Sequence, residues 1–150
     1  MSDVRVHRTA LSPAHPIHVI LSAFPIACFT GAFVTDIVYA ETYEMMWANF
    51  SIWLITVGVA MGVLAAIAGI ADYLVYRRER PHRRSASPHS LGNMLVLLLS
   101  VFNALVHSRD AYTSVVPTGL ILSGIVALLV LISSWLGSAL VYRTTSGETL

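Results

Sequence analysis

The chain has no lysine, a single cysteine and few charges of either sign: nine arginines and eight acidic residues among 150, or 11% charged. Soluble domains carry about 25% charged residues, so this chain is too poor in charge to be an ordinary one. The lone Cys28 excludes an intramolecular disulfide and any cysteine-rich metal or iron–sulfur site within the chain, and it reads as a small core hydrophobe. The sequence also lacks a nucleophile elbow, a phosphate-cradling glycine loop and paired catalytic carboxylates, which leaves hydrolytic and covalent catalysis without support.

What remains is apolar: 56% hydrophobic residues and a mean hydropathy of +0.73. Four stretches are long enough to span a bilayer, at about 17–39, 52–76, 88–107 and 116–142. The expected fold is all-α, an integral membrane four-helix bundle forming one transmembrane domain over residues 1–150. The first apolar run starts near residue 17, contains Pro25 and has no small-x-small cleavage site after it, so it is expected to stay in the mature protein. Arg77, Arg78, Arg80, Arg83 and Arg84 crowd the second loop, which the positive-inside rule places in the cytoplasm. Arg5, Arg8 and Arg143 fall on the same side and Glu41 and Glu44 on the other, so both termini are expected to be cytoplasmic and the location the bacterial inner membrane. Juxtamembrane arginines of this kind meet anionic lipid; a nucleic-acid partner is not expected.

Prolines mark the helix starts: Pro16 after His15, Pro88 after Ser87, and Pro117. Pro25 inside the first span is expected to kink it and free the carbonyl near Leu21, with Ser22 close enough to satisfy it. Gly58 and Gly62 form a small-xxx-small pair that either brings another helix close or reflects the frequency of glycine in membrane helices. The fourth span, with Gly119, Ser123 and Gly124 near one end and Ser134, Gly137 and Ser138 near the other, reads as a packing helix. Self-association or docking on a larger membrane complex is expected through span two or four. Trp47, Trp53 and Trp135, with Tyr39, Tyr43, Tyr73, Tyr76 and Tyr142, read as an interfacial belt. No internal repeat emerges from the residue identities.

Several strings resemble the domain of unknown function 2231 family of bacterial membrane proteins. They are His15-Pro16-Ile17-His18, Phe24-Pro25-Ile26-Ala27 and Asp36, then Ala68-Gly69-Ile70-Ala71-Asp72-Tyr73, His89 followed by Asn93, and Ser134-Trp135-Leu136-Gly137 with Leu140-Val141-Tyr142-Arg143. The resemblance covers nearly all of the spanning region and implies a four-helix inner-membrane fold. Some relatives are joined to Rieske iron–sulfur domains, which points to redox company. The chain departs from the family where many relatives carry a further His, at Ala23, and a second Pro, at Val19.

The residues with chemistry lie on one face of the third span. His89, Asn93, Ser100, Asn103 and His107 fall at helical spacing, and the two histidines are separated by about 27 Å along the axis at 1.5 Å per residue. His18 and Asp36 repeat that spacing on the first span. Ionisable groups in membrane helices are costly and face a bundle interior, a cofactor or a water path. At one end His15, His18, Asp72, His89 and Asn93 share a depth. One reading is b-type haem, with His18 and His89 as axial ligands, Asp72 and Asn93 orienting the imidazoles, small residues such as Ala23, Gly69 and Ala71 leaving room for the ring, and Arg77 or Arg78 at the propionates. A second is a divalent-metal site of His15, His18 and His89 with Asp72. At the other end Asp36, Asn103, His107 and Arg109 form a polar anchor or proton route, with Asp36 and Arg109 as an ion pair. The expected function is a small redox subunit binding haem b and passing electrons. The alternative is a proton or divalent-cation conduit, or a structural subunit in which the same groups bond to one another.

Overall fold

The computed structural model describes residues 16–77, 87–109 and 114–145. They form α1 (Pro16–Thr42), α2 (Met45–Arg77), α3 (Ser87–His107) and α4 (Leu120–Thr145), the last led in by a wide helical turn at Val115–Gly119. No strand occurs among the described residues. All four helices are long and apolar enough to cross a membrane, with mean hydropathies of 2.0, 2.4, 1.6 and 2.6. The chain is thus an all-α, multi-pass membrane protein.

Proline sets the starts as sterics require. Pro16 opens α1, Pro88 is the second residue of α3, and Val116 is extended (φ −103°, ψ 131°) before Pro117. The largest difference from the expected spans is α2, which begins at Met45 rather than near residue 52. The connection from α1 is only Tyr43 and Glu44, because Tyr43 turns into the left-handed region (φ 56°) and its amide closes on the Tyr39 carbonyl at 2.7 Å. This tight hairpin buries Tyr39 against Ala48 and Val115, so Tyr39 belongs to the core and not to the interfacial belt; Tyr43, Trp53 and Trp135 are exposed.

Each helix packs antiparallel on the next, and α4 closes the ring against α1. Phe29, Val96, Val126 and Val130 meet at the centre, one or two from each of α1, α3 and α4. The α2 glycines are what admit their neighbours: a Cβ on Gly58 would stand 2.5 Å from Phe29 Cε1, and one on Gly62 2.6 Å from Leu97 Cδ2. The small-residue pair of α2 is therefore used inside the bundle by α1 and α3, which removes it as a contact for another subunit. Pro25 is buried facing α2 within a continuous α1, and Ser22 Oγ donates to the Val19 carbonyl at 2.9 Å rather than to that of Leu21. The outward faces carry leucine, isoleucine and valine, as lipid contact requires.

Candidate functional site

The stripe on α3 does face the interior: His89 and Asn93 are half-buried, and Ser100, Asn103 and His107 are buried. The apolar layer of Phe29, Val96, Val126 and Val130 divides it. Ser100 lies at that level but its hydroxyl is turned back onto the Val96 carbonyl at 2.7 Å. Two separate polar centres result.

The more deeply buried one lies towards the turn between α1 and α2. His107 Nε2 stands 3.1 and 3.2 Å from the two carboxylate oxygens of Asp36, joining α3 to α1 across the bundle. Asp36 is 0% and His107 7% exposed. His107 Nδ1 donates to the Asn103 carbonyl at 3.0 Å. A carbonyl only accepts, so the proton on Nδ1 is fixed. Nε2 faces a carboxylate, so a second proton must lie between them, on the ring or on the carboxyl. In either arrangement the pair holds one proton more than a carboxylate with a neutral imidazole, and its net charge is zero.

Neighbouring groups complete the centre. The edge of the His107 ring lies on Gly119, where a Cβ would meet His107 Cε1 at 2.7 Å and the Ser114 carbonyl oxygen at 2.6 Å. Asn103 Nδ2 donates to Ser123 Oγ at 2.8 Å, while Asn103 Oδ1 is buried without a hydrogen-bond partner among the described residues. Thr35 and Ser51 link α1 to α2 through hydroxyls 2.7 Å apart. Arg109 is exposed beyond the end of α3 and does not pair with Asp36 as expected. The physical reason is position: the carboxylate points into the bundle, where His107 reaches it, whereas an arginine two residues past the helix keeps its head in polar surroundings.

At the other centre the expected haem or metal residues are distributed between two hairpins. His18 Nδ1 donates to the Ala65 carbonyl of α2 at 2.9 Å, its ring against Gly69. His89 Nδ1 donates to the Ser133 carbonyl of α4 at 3.0 Å, its ring against Gly137. Asn93 Nδ2 donates to His89 Nε2 at 3.0 Å and Ser133 Oγ donates to Asn93 Oδ1 at 2.7 Å, closing a hydrogen-bonded cycle in which each group is satisfied. Asn93 thus orients His89, while Asp72 is half-buried and bonds to neither histidine. His15 and Arg78 lie outside the described residues, as does the side chain of Arg77. Among the described residues no three His, Cys, Asp or Glu side chains converge as a metal-binding group.

Thr35, Ser51 and Ser133 were missed by the sequence reading, yet a signal exists. Ser51 lies seven residues, two helical turns, before Gly58 on the same face of α2, and Ser133 lies four residues before Gly137 on α4; small hydroxyl residues on a small-residue face are where helices touch.

The family model described as "Predicted membrane protein (DUF2231)" matches residues 14–149. No curated protein and no solved structure matches the chain. With the match extending through all four helices, the chain belongs to the domain of unknown function 2231 family of predicted membrane proteins.

Proposed function

We propose that the protein is a proton-binding module of the bacterial inner membrane, which takes up and releases one proton at the Asp36–His107 pair. The observation that carries this reading is that both ring nitrogens of His107 face acceptors, the Asn103 carbonyl at Nδ1 and the Asp36 carboxylate at Nε2, so that a proton is shared between ring and carboxylate. Asn103 Oδ1, buried without a partner among the described residues and beside the same segment of α3, offers a hydrogen-bond acceptor for a water on the way in or out. The arginine-rich second loop supports an orientation with both termini in the cytoplasm, which puts the pair towards the opposite face. A module of this kind works with a partner, either a second copy or a larger membrane complex. In detergent-solubilised protein labelled with nitrogen-15 at histidine, His107 is expected to show a protonated Nδ1 and a strongly hydrogen-bonded Nε2. Its Nε2 resonance is expected to move in Asp36→Asn while those of His18 and His89 stay in place. A His107 resonance that follows the pattern of a free imidazole and ignores Asp36→Asn would refute the reading.

A second reading, haem b and electron transfer, is favoured by one specific feature. His18 and His89 both carry their proton on Nδ1 and present a lone pair at Nε2, the tautomer that an axial ligand needs. His18 Nε2 has no bond among the described residues, and that of His89 is held by Asn93, whose amide must move aside for iron. His18 and His89 would hold the group, which would supply one-electron chemistry. A reduced-minus-oxidised visible spectrum tests it. The haem reading expects an α band that His18→Ala and His89→Ala both abolish with helix content retained. A flat spectrum from protein expressed with ample haem leaves the two histidines as latches within their hairpins, and the same substitutions then cost stability alone, about 1 kcal/mol each.

A further inference from the structure

Residue identities hide a repeat that the contacts reveal. Pro25, Phe29, Ala32, Thr35, Asp36 and Tyr39 are buried on α1; the buried positions of α3 are Val96, Ser100, Asn103, Val106 and His107, the first five of that pattern moved by 71 residues, the counterpart of Tyr39 falling outside the described residues. Ser51, Ile55, Gly58, Gly62 and Ala65 on α2 are matched by Gly119, Ser123, Val126, Val130 and Ser133, moved by 68 residues, whereas buried Ala48, Ser114, Val115 and Ala127 have no buried counterpart under that shift. Burial at helical spacing alone is weak evidence, because any two helices agree after some rotation. The hydrogen bonds are stronger evidence. His18 bonds through Nδ1 to the carbonyl of Ala65 and rests on Gly69; under the same two shifts, His89 bonds through Nδ1 to the carbonyl of Ser133 and rests on Gly137.

We infer that the molecule is two equivalent two-helix hairpins related by a pseudo-twofold axis along the membrane normal, and that Asp36 and His107 are one position seen twice. A residue touches its own equivalent only on the axis, and these two touch. Because α1 and α3 run in the same direction, the axis runs across the membrane, the arrangement of parallel internal repeats.

The equivalence shows what distinguishes the halves. In the second, the Asn103 carbonyl receives His107 Nδ1–H and Gly119 leaves space for the ring. In the first, the equivalent carbonyl of Ala32 receives the hydroxyl of Thr35 at 2.9 Å, and Ser51 Oγ, 2.7 Å from Thr35 Oγ1, stands 3.4 Å from the same carbonyl oxygen. Ser51 is the counterpart of Gly119, so its side chain fills the place that the imidazole edge takes in the other half. Ser51 and Gly119 are positioning residues that decide which hairpin carries the imidazole. This inference stands on geometry and does not depend on the proton reading.

The test exchanges the pair in the full chain. Asp36→His with His107→Asp places the imidazole in the half where Ser51 obstructs it; Ser51→Gly added to that exchange opens the place. Gly119 is retained throughout, since any Cβ there meets the Ser114 carbonyl. Ser51→Gly is expected to lower the unfolding temperature of the wild type, by loss of the Thr35 bond, and to raise that of the exchanged chain. Such a reversal of sign is a coupling between the sites that simple loss of a hydroxyl does not produce. If the exchanged chain is too unstable to purify, recovery of folded, monodisperse protein on adding Ser51→Gly is the same result. A decrease in both backgrounds, or no recovery, overturns the equivalence.

Discussion

Asp36→Ala is expected to lower stability by about 3–5 kcal/mol, because it leaves the His107 ring without its partner in a low-dielectric interior. Asp36→Asn is expected to cost far less. With Nδ1–H retained on the Asn103 carbonyl, a neutral imidazole presents a lone pair at Nε2, and the side-chain amide of the Asp36→Asn variant would donate to it across nearly the same distance. The amide variant therefore preserves shape, hydrogen bonding and net charge while removing the carboxyl proton site. Thermal unfolding of both variants in one detergent measures the difference. Equal losses would show that the carboxylate does something other than partner the imidazole. The amide variant is also the one to carry into functional work, since it separates protonation from folding.

Gly119→Ala is the second substitution with a large expected effect. The new Cβ would sit 2.6 Å from the Ser114 carbonyl oxygen and 2.7 Å from His107 Cε1. Backbone cannot step aside as a flexible side chain can, so either the lead-in turn at Val115–Gly119 or the imidazole must move. Overpacking of this kind costs about 1–3 kcal/mol, and displacement of the ring adds loss of the Asp36 bond. Gly31→Ala is the control: its Cβ meets only Leu54 Cδ1, at 3.4 Å. Alanine there gains about 0.5–1 kcal/mol in helix propensity, so the two substitutions are expected to have opposite signs in the same unfolding assay.

How far the sequence foretells this arrangement depends on the kind of signal. Four spans and their prolines are visible because hydrophobic length and pre-proline sterics are local properties. The α3 stripe is visible because helical spacing is periodic. Partner choice is not: Asp36, His107 and Arg109 all fall near one end of their spans, and charge alone favours the arginine. Only the inward direction of the buried carboxylate gives it to His107. Similarly, His18 and His89 share a depth, and that convergence invites a common ligand. Each is bonded within its own hairpin, through carbonyls of Ala65 and Ser133 that no side-chain pattern announces. The repeat is faint in the residues for a related reason. Identical residues survive at His18 and His89 and at Gly69 and Gly137, while other equivalent positions, Ser51 and Gly119 or Asp36 and His107, have little chemistry in common.

The apolar layer of Phe29, Val96, Val126 and Val130 has an electrical consequence. A transmembrane voltage falls mainly across the least polarisable material, and this layer lies between the Asp36–His107 pair and the end that holds His18 and His89. Charge exchanged between the pair and its nearer face therefore crosses little of the field, whereas charge travelling from the farther end crosses most of it. On the proposed proton reading, and at about 2.3 kcal/mol per elementary charge for each 100 mV, a proton reaching the pair from the near side would cross little of the voltage and one from the far side most of it.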